Sequence, residues 1–257
     1  MALALAAIWP LYRRALREAL RVPLATFVVP LVVGLFMLTI FARVFERIVS
    51  LEAFGGLSYA EYVTPGTMVM AVMLGSSTAG VSTAVEITTG FFDRMRIAPL
   101  RELPSLRARR LADATRIACY ELVLLVAAAI DGVDIADWPL AVVFGCGFTA
   151  LWCFAYGGLA LAACMRTRSA ETAQGMAPLF FPILFMSTAV MPSELLPGWL
   201  SAIAAWNPVS YIADAMRAAN AGHVDLAATW RALLGVAVVA AITQWLVVRA
   251  RRGLAEE

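Results

Sequence analysis

Charged side chains able to do chemistry are concentrated in one stretch of this apolar sequence, from Glu86 to Arg110, which we call the basic segment. Gly90, Pro99 and Pro104 interrupt it, and six of its residues are arginines: Arg94, Arg96, Arg101, Arg107, Arg109 and Arg110. Clustered positive charge is suited to electrostatic docking on a partner protein. We therefore predict that a cytoplasmic partner binds the basic segment and moves the helices on either side of it.

Catalytic and nucleotide-binding signatures are missing from the sequence. A phosphate-binding loop of the form G-x-x-x-x-G-K-[ST] needs a lysine, and all 20 basic residues are arginines. The sequence also lacks a nucleophile triad, a glycine-rich dinucleotide loop and a metal-ligand cluster, and its single histidine, His223, is predicted to be a surface residue. We therefore predict that the chain is not an enzyme and holds no cofactor or metal. Energy for any work must then come from another chain.

Glu121 is the acidic residue that stands out, because it lies about 15 Å into an apolar stretch at 1.5 Å per helical residue. A charge at such a position costs about 2.5–3.5 kcal/mol on insertion, so we expect Glu121 to face the interior of a helix bundle. Two interpretations stay open, a polar group in a transport path or a structural hydrogen bond to the small polar residues of the second span. Asp113 and Arg116, three residues apart, are expected to pair near the inner interface, where Glu86 could join them.

The elements that must position these groups are membrane helices. The chain has 257 residues, of which 62% are hydrophobic, and a mean hydropathy of +0.81, whereas soluble domains are about 45–50% apolar. Several uncharged runs reach the roughly 20 residues that a helix needs to cross a bilayer. The sequence therefore predicts an all-α polytopic membrane protein, a single transmembrane domain over 1–257 with six spans at 22–42, 62–85, 111–130, 138–165, 172–193 and 232–248.

Two further stretches have distinctive patterns. Residues 11–22 alternate apolar and basic positions with a helical period, which predicts an amphipathic interfacial helix whose basic face carries Arg13, Arg14, Arg17 and Arg21. A cluster that only sets topology is a compatible alternative. The second span contains the small-residue run GSSTAG, which begins with Gly75, Ser76, Ser77 and Thr78. Small residues favour close helix packing, and the alternative is that they line a substrate path.

The placement of arginines predicts the topology, because arginines near span ends favour the cytoplasm. If six spans cross and both termini are cytoplasmic, four groups of arginines lie on the cytoplasmic side. These are the N-terminal cluster, the basic segment, the pair Arg166 and Arg168, and the C-terminal arginines. For this count, the apolar stretch 195–213 must not cross. Pro197 and Pro208 interrupt it, so we predict a re-entrant or interfacial hairpin on the outer face between spans five and six.

Three motifs, in order along the chain, resemble those of the type-2 ABC exporter permeases, the group that contains the daunorubicin-resistance-like drug exporters. Tyr62–Gly66 reads YVTPG and resembles the family's Y-x-x-P-G. Gly90–Leu100 is similar to its G-x-x-x-R-x-x-x-x-P loop. Asn207–Tyr211, followed by Asp214 and Arg217, is similar to its N-P-x-x-Y…R.

The resemblance implies roles for particular residues. In that family the loop holds a coupling helix that docks into a cleft of a cytoplasmic ATPase subunit, which here would involve Phe91, Phe92, Asp93, Arg94, Met95, Arg96 and Pro99. The family is built from permease dimers with two ATPase subunits, so ATP and Mg²⁺ would be bound by the partner. Its outer hairpins help to close the exit, which makes Asn207, Pro208 and Tyr211 candidate gate residues. Its N-terminal amphipathic helix also contacts the ATPase.

Three hypotheses about function follow. The first is a membrane-spanning subunit of an ATP-driven exporter of amphiphilic drug-like or lipid-like molecules, in the plasma membrane of a bacterium, paired with a second copy or a related permease and with no role for nucleic acid. The second is a proton-coupled secondary transporter that uses Glu121 and Glu86, although no inverted repeat is visible in the sequence. The third is a membrane anchor or assembly factor that transports nothing.

Overall fold

The computed structural model describes residues 2–21, 24–45, 54, 56–76, 78–88, 102–176 and 178–255. Within these ranges the chain is helical with short connections and contains no β-strand, as an all-α protein should. The predicted coupling residues at 91–96 and 99 lie outside the described residues, and so does Ser77.

The first half of the chain forms α1 (Ala2–Arg21), a π-helical turn (Leu24–Val28), α2 (Val29–Phe45), α3 (Tyr59–Gly75), α4 (Thr78–Thr88) and α5 (Glu102–Ile130). The second half forms α6 (Trp138–Thr167), α7 (Ala170–Gly175), α8 (Phe180–Phe185), a 3-10 turn (Ser193–Leu195), α9 (Gly198–Ala204), α10 (Pro208–Asn220) and α11 (Leu226–Ala255).

Helix α6 lies at the centre and packs against α4, α5, α10 and α11. The side chain of Asp137 caps its first turn. Two adjacent glycines let other helices approach it closely: a Cβ at Gly157 would lie 2.8 Å from the carbonyl oxygen of Ser76, and one at Gly158 would lie 2.7 Å from Oγ1 of Thr243. Around this core, α1 packs along α5 and α2 packs against α3.

The second predicted span, 62–85, consists of two helices, α3 and α4, which are separated at 76–77. Glycine adds backbone entropy and serine hydroxyls compete for backbone hydrogen bonds, so the sequence Gly75-Ser76-Ser77 favours a helix end at this point. The structure places Ser76 in a buried position against Gly157 of α6. Gly75 ends α3 and Thr78 begins α4.

The predicted fifth span, 172–193, is not one continuous helix within the described residues, and whether it crosses the membrane stays a prediction. The chain forms two six-residue helices, α7 and α8, followed by turns. Each is about 9 Å long at 1.5 Å per residue, well short of a bilayer core of about 30 Å. Pro178 and Pro182 lack the backbone N–H that a continuous helix needs, which accounts for the interruption.

Among the residues that the structure describes, two helices are long and apolar enough to cross a membrane, Trp138–Thr167 and Leu226–Arg251. They coincide with the predicted fourth and sixth spans. The second has a row of exposed apolar side chains three or four residues apart, Leu234, Val238, Ile242 and Trp245. Such a row lies on one helical face, as expected of a helix that contacts lipid or another apolar surface. The six-span count itself stays a prediction.

Candidate functional site

Arg217 on α10 is the centre of a group of contacts on the predicted outer side. Its side chain is only 10% exposed. Its Nε donates a hydrogen bond to the backbone carbonyl of Tyr62 at 3.0 Å, and its guanidinium lies 3.7 Å from the centre of the Tyr62 ring. The same group donates to the carbonyl of Thr188 and pairs with the carboxylate of Asp214. Arg217 therefore joins α3 and α10 to the irregular chain after α8, the residues 186–192 that have no regular secondary structure.

Tyr62 and Gly66 contact that irregular chain from the other side. The Tyr62 hydroxyl donates to the carbonyl of Thr188 at 2.8 Å. Gly66 lies four residues later, on the same face of α3, where a Cβ would overlap the carbonyl oxygen of Ala189. The Y-x-x-P-G spacing is thus explained by packing: an aromatic residue and a residue without a side chain are needed one turn apart against the same segment.

Asn207, a predicted gate residue, uses both ends of its side-chain amide. Its Oδ1 accepts a hydrogen bond from the backbone N–H of Val209 at 3.0 Å and so caps α10. Its Nδ2 donates to the carbonyls of Ile183 at 2.6 Å and Met186 at 2.9 Å. The residue therefore fixes the start of α10 to the end of α8.

The other two predicted gate residues make contacts of their own. Pro208 lies against α11, where a Cβ at Gly235 would be 2.7 Å from the Pro208 Cβ. The hydroxyl of Tyr211 donates to the carbonyl of Ala205. The guanidinium of Arg231 lies 5.6 Å from the Tyr211 ring.

The residues that hold the irregular chain together form one group, which we call the motif cluster: Tyr62, Gly66, Thr188, Asn207, Ser210, Asp214 and Arg217. Ser210 completes it, because its Oγ donates to the carbonyl of Ala204 at 2.8 Å and accepts from the backbone N–H of Thr188 at 3.1 Å. Two motifs that are far apart in sequence therefore meet in space. The third, Gly90–Leu100, lies wholly outside the described residues.

Four charges on three helices form the second feature, which we call the charge ring: Glu86 of α4, Arg109 of α5, and Arg14 and Glu18 of α1. Glu86 Oε1 pairs with Nη2 of both Arg109 and Arg14, the latter at 3.1 Å. Glu18 pairs with Nε of Arg14 at 2.7 Å and with Nη1 of Arg109 at 3.8 Å. Burial raises the pKa of the Glu86 carboxyl above its ordinary value, and the positive charges of Arg109 and Arg14 offset part of that rise.

The C-terminal arginines of the basic segment, which follow the predicted coupling residues, are not all exposed. Arg107 is exposed, but Arg109 and Arg110 are buried. Arg110 donates to the carbonyl of Phe154 and, at 2.9 Å, to Oε1 of Gln244. It thus joins α5 to α6 and α11. The number of arginines in the sequence does not show which of them are exposed and which are buried, because this depends on the face of α5 that each one occupies.

Glu121 is fully buried, which confirms the prediction that it faces the interior. Neither of its carboxylate oxygens has a hydrogen-bond partner among the residues that the structure describes. The hydroxyls of Thr64 and Thr67 on α3 donate to carbonyls of their own helix, at 2.7 and 2.8 Å. The structural alternative for Glu121, a hydrogen bond to the second span, is therefore not observed within the described ranges.

The other two acidic residues noted in the sequence, Asp113 and Glu86, pair with different arginines. Asp113 and Arg116 form an ion pair at 3.0 Å, as their spacing predicts. The ion pairs of Glu86 run to the charge ring, and Arg109 of that ring precedes Glu121 by 12 residues, about 18 Å along α5. Glu86 and Glu121 therefore do not share one site.

The arginines of α1 have different surroundings. Arg13, Arg17 and Arg21 are exposed, whereas Arg14 is directed to the charge ring. Tyr12 on the opposite side donates to Oγ1 of Thr115 at 3.1 Å. The sequence indicated a basic face but gave no signal that one of its arginines would pair within the protein.

Comparison with known proteins identifies the family. Residues 6–220 match the profile described as ABC-2 type transporter. The daunorubicin resistance ABC transporter permease protein of Streptomyces coeruleorubidus is 30% identical over 165 residues, which cover 62% of this chain and 56% of that protein. A doxorubicin resistance ABC transporter permease protein of Mycobacterium tuberculosis is 26% identical over 190 residues, 70% of this chain and 66% of that protein.

A transport permease of Porphyra purpurea, ycf38, is 25% identical over 199 residues, 70% of this chain and 66% of that protein. The chain thus spans between 56% and 66% of the lengths of these relatives. The matched range includes both motifs that meet in the motif cluster, the one that begins at Tyr62 and the one that begins at Asn207. The match confirms the resemblance inferred from the three motifs. The chain therefore belongs to the ABC-2 type transporter family.

Proposed function

We propose that this chain is the membrane-spanning permease subunit of an ATP-driven exporter that moves amphiphilic drug-like or lipid-like molecules out of the cell. The observation that carries the proposal is the family match over 6–220, together with relatives named for daunorubicin and doxorubicin resistance. Both drugs are flat ring systems that carry a polar sugar, so they are amphiphiles.

The energy source would be a separate cytoplasmic ATPase, present in two copies, which binds ATP and Mg²⁺. The absence of lysine from the sequence supports this division of labour, because a phosphate-binding loop needs one. The coupling residues between Phe91 and Pro99 would dock into the ATPase, with Arg94 and Arg96 supplying charge complementarity. A second copy of this chain or a related permease would complete the transporter.

The proposed setting is the plasma membrane of a bacterium, with six spans and both termini in the cytoplasm. The arginine distribution supports this orientation, and the two long apolar helices support a membrane setting. The charge ring would then lie at the inner side and the motif cluster at the outer side. Motion of the coupling residues would pass through α4 and α5 to the interface between two permeases, and the hairpin that contains α9 and α10 would help to close the exit.

Reconstitution with the ATPase tests the proposal. The chain would be co-expressed with the cytoplasmic ATPase encoded nearest to it, purified, and placed in liposomes with daunorubicin as the probe. We expect a stable complex, ATP hydrolysis that depends on the permease, and ATP-driven movement of daunorubicin. Failure to bind any such ATPase would refute the proposal.

Two controls separate the competing hypotheses. The double variant Arg94→Glu with Arg96→Glu should weaken ATPase binding and abolish transport while the chain remains folded, and unchanged transport would exclude these residues from coupling. A protonophore that collapses the proton gradient while ATP is kept constant should leave transport unchanged. Transport that stops under the protonophore would instead favour the proton-coupled mechanism through Glu121.

A further inference from the structure

We infer that the charge ring of Glu86, Arg109, Arg14 and Glu18 makes α1, α4 and α5 move as one unit when the ATPase displaces the coupling residues, with Glu86 as the positioning residue. This inference rests on the proposed function, because only a chain driven through that loop needs such a unit. It assigns a role in coupling to residues that do not themselves touch substrate or ATP.

Four ion pairs close the ring across three helices. Each arginine contacts both glutamates and each glutamate contacts both arginines. The four charges alternate in sign and sum to zero, so each has its counterion within the ring. Three separate helices contribute, and Glu86 is the member on α4. Loss of the Glu86 charge removes two of the four ion pairs and leaves two arginines facing an uncharged side chain.

In the sequence, Glu86 and Arg109 lie on either side of the predicted coupling residues. Glu86 comes two residues before α4 ends at Thr88, and Arg109 comes seven residues after α5 begins at Glu102. The chain between these helices contains every predicted coupling residue. Both ends of that connection are therefore joined to each other, and to α1, at one place. A force applied to the connection reaches all three helices together instead of being absorbed by sliding of α4 against α5.

Helix α4 packs mainly against α6 and α7, so Glu86 adds a direct ion-pair link from α4 to α5 and α1. Helix α4 has only 11 residues and is separated from α3 by the interruption at 76–77. By contrast, α5 continues for 29 residues into the core, where Arg110 holds it to α6 and α11. The ring thus joins a short, interrupted helix to a long, anchored one.

The ion pair between Arg109 and Glu86 is largely buried. The Arg109 side chain is 7% exposed and that of Glu86 is 11% exposed. Ion pairs shielded in this way are screened less by salt than surface pairs are, and they hold a defined geometry better than an apolar contact, which tolerates sliding. Arg14 and Glu18 are more exposed, so the ring closes toward the aqueous side.

The experiment measures daunorubicin transported per ATP hydrolysed in liposomes that contain the complete complex. The ratio counts only the ATP hydrolysis that depends on the permease, so a smaller folded fraction alone leaves it unchanged. We expect Glu86→Gln, which keeps the shape but loses the charge, to bind the ATPase normally and to lower the ratio at least fivefold. Arg109→Lys keeps the charge and should stay within about threefold of the unaltered chain.

The matched control is Arg166→Gln, which removes an exposed arginine in the last turn of α6, outside the ring, and should keep the ratio within twofold. If Glu86→Gln does not fold, Arg14→Gln tests the ring at a more exposed position, and we expect a two- to threefold loss. A ratio unchanged in Glu86→Gln, or in Arg14→Gln where that variant replaces it, would overturn the inference. So would loss of ATPase binding by a folded Glu86→Gln variant, which would make the ring part of the docking surface. If the unaltered chain binds no ATPase, the proposed function itself fails.

Discussion

Replacement of Arg217 by methionine is the sharpest test of the motif cluster. Methionine keeps the length and much of the apolar contact of the side chain but removes every donor and the charge. The carbonyls of Tyr62 and Thr188 then lose hydrogen bonds from Arg217, the Tyr62 ring loses its cation, and Asp214 loses its ion-pair partner.

The expected cost follows from these contacts. Each hydrogen bond from a charged donor to a carbonyl contributes about 1.5–3 kcal/mol, and the cation–π contact adds about 0.5–2 kcal/mol. The pair with Asp214 contributes less, roughly 0–1 kcal/mol, because that carboxylate is 43% exposed. Since such contributions overlap, we expect the free energy of unfolding to fall by about 3–5 kcal/mol. A loss of 3 kcal/mol changes the equilibrium constant by about 150-fold.

Unfolding by SDS in mixed micelles, followed by tryptophan fluorescence, measures this loss. Arg217→Lys keeps one charge but not the planar fork that reaches two carbonyls, so it should fall between the methionine variant and the unaltered chain. Arg231→Met is the control, because Arg231 is exposed and its ring contact with Tyr211 is 5.6 Å long. A loss below about 1 kcal/mol for Arg217→Met, or an equal loss for Arg231→Met, would refute the role given to Arg217.

Two further substitutions test the interior. Glu121→Leu should raise the free energy of unfolding by about 1–3 kcal/mol, because it removes a buried carboxylate without a hydrogen bond among the described residues. A loss of daunorubicin transport in the same variant would place Glu121 in the transport path. A fall in the free energy of unfolding would contradict this reasoning. Gly66→Ala should cost about 1–3 kcal/mol because its Cβ overlaps the carbonyl of Ala189. Gly147→Ala on α6, where a Cβ meets nothing within 4 Å, should be neutral or stabilising, and equal losses in the two variants would exclude the steric explanation.

Local patterns predicted a substantial part of this structure. Hydropathy and the length of the uncharged runs predicted an all-helical protein, and two of the predicted spans coincide with the long apolar helices. The pair of Asp113 and Arg116 was predictable because three residues are nearly one helical turn. The three motifs led to the family that the profile match confirms.

Other features were not predictable because they depend on contacts between distant parts of the chain. Arg217 and Tyr62 are 155 positions apart, and no local pattern shows that they meet, although both belong to motifs that the sequence analysis noted. The fifth span was predicted from hydropathy alone, whereas Pro178 and Pro182 carry the signal for its interruption.

The difference between what the sequence determined and what the tertiary structure decided is clearest in the basic segment. The sequence by itself determined that the chain is helical, apolar and rich in arginine at defined places, since these properties depend on composition and short-range spacing. Only the tertiary structure decided that Arg107 faces solvent while Arg109 pairs with Glu86 and Arg110 reaches α6 and α11. Successive residues on a helix point about 100° apart, so the role of each arginine depends on which helices pack around α5.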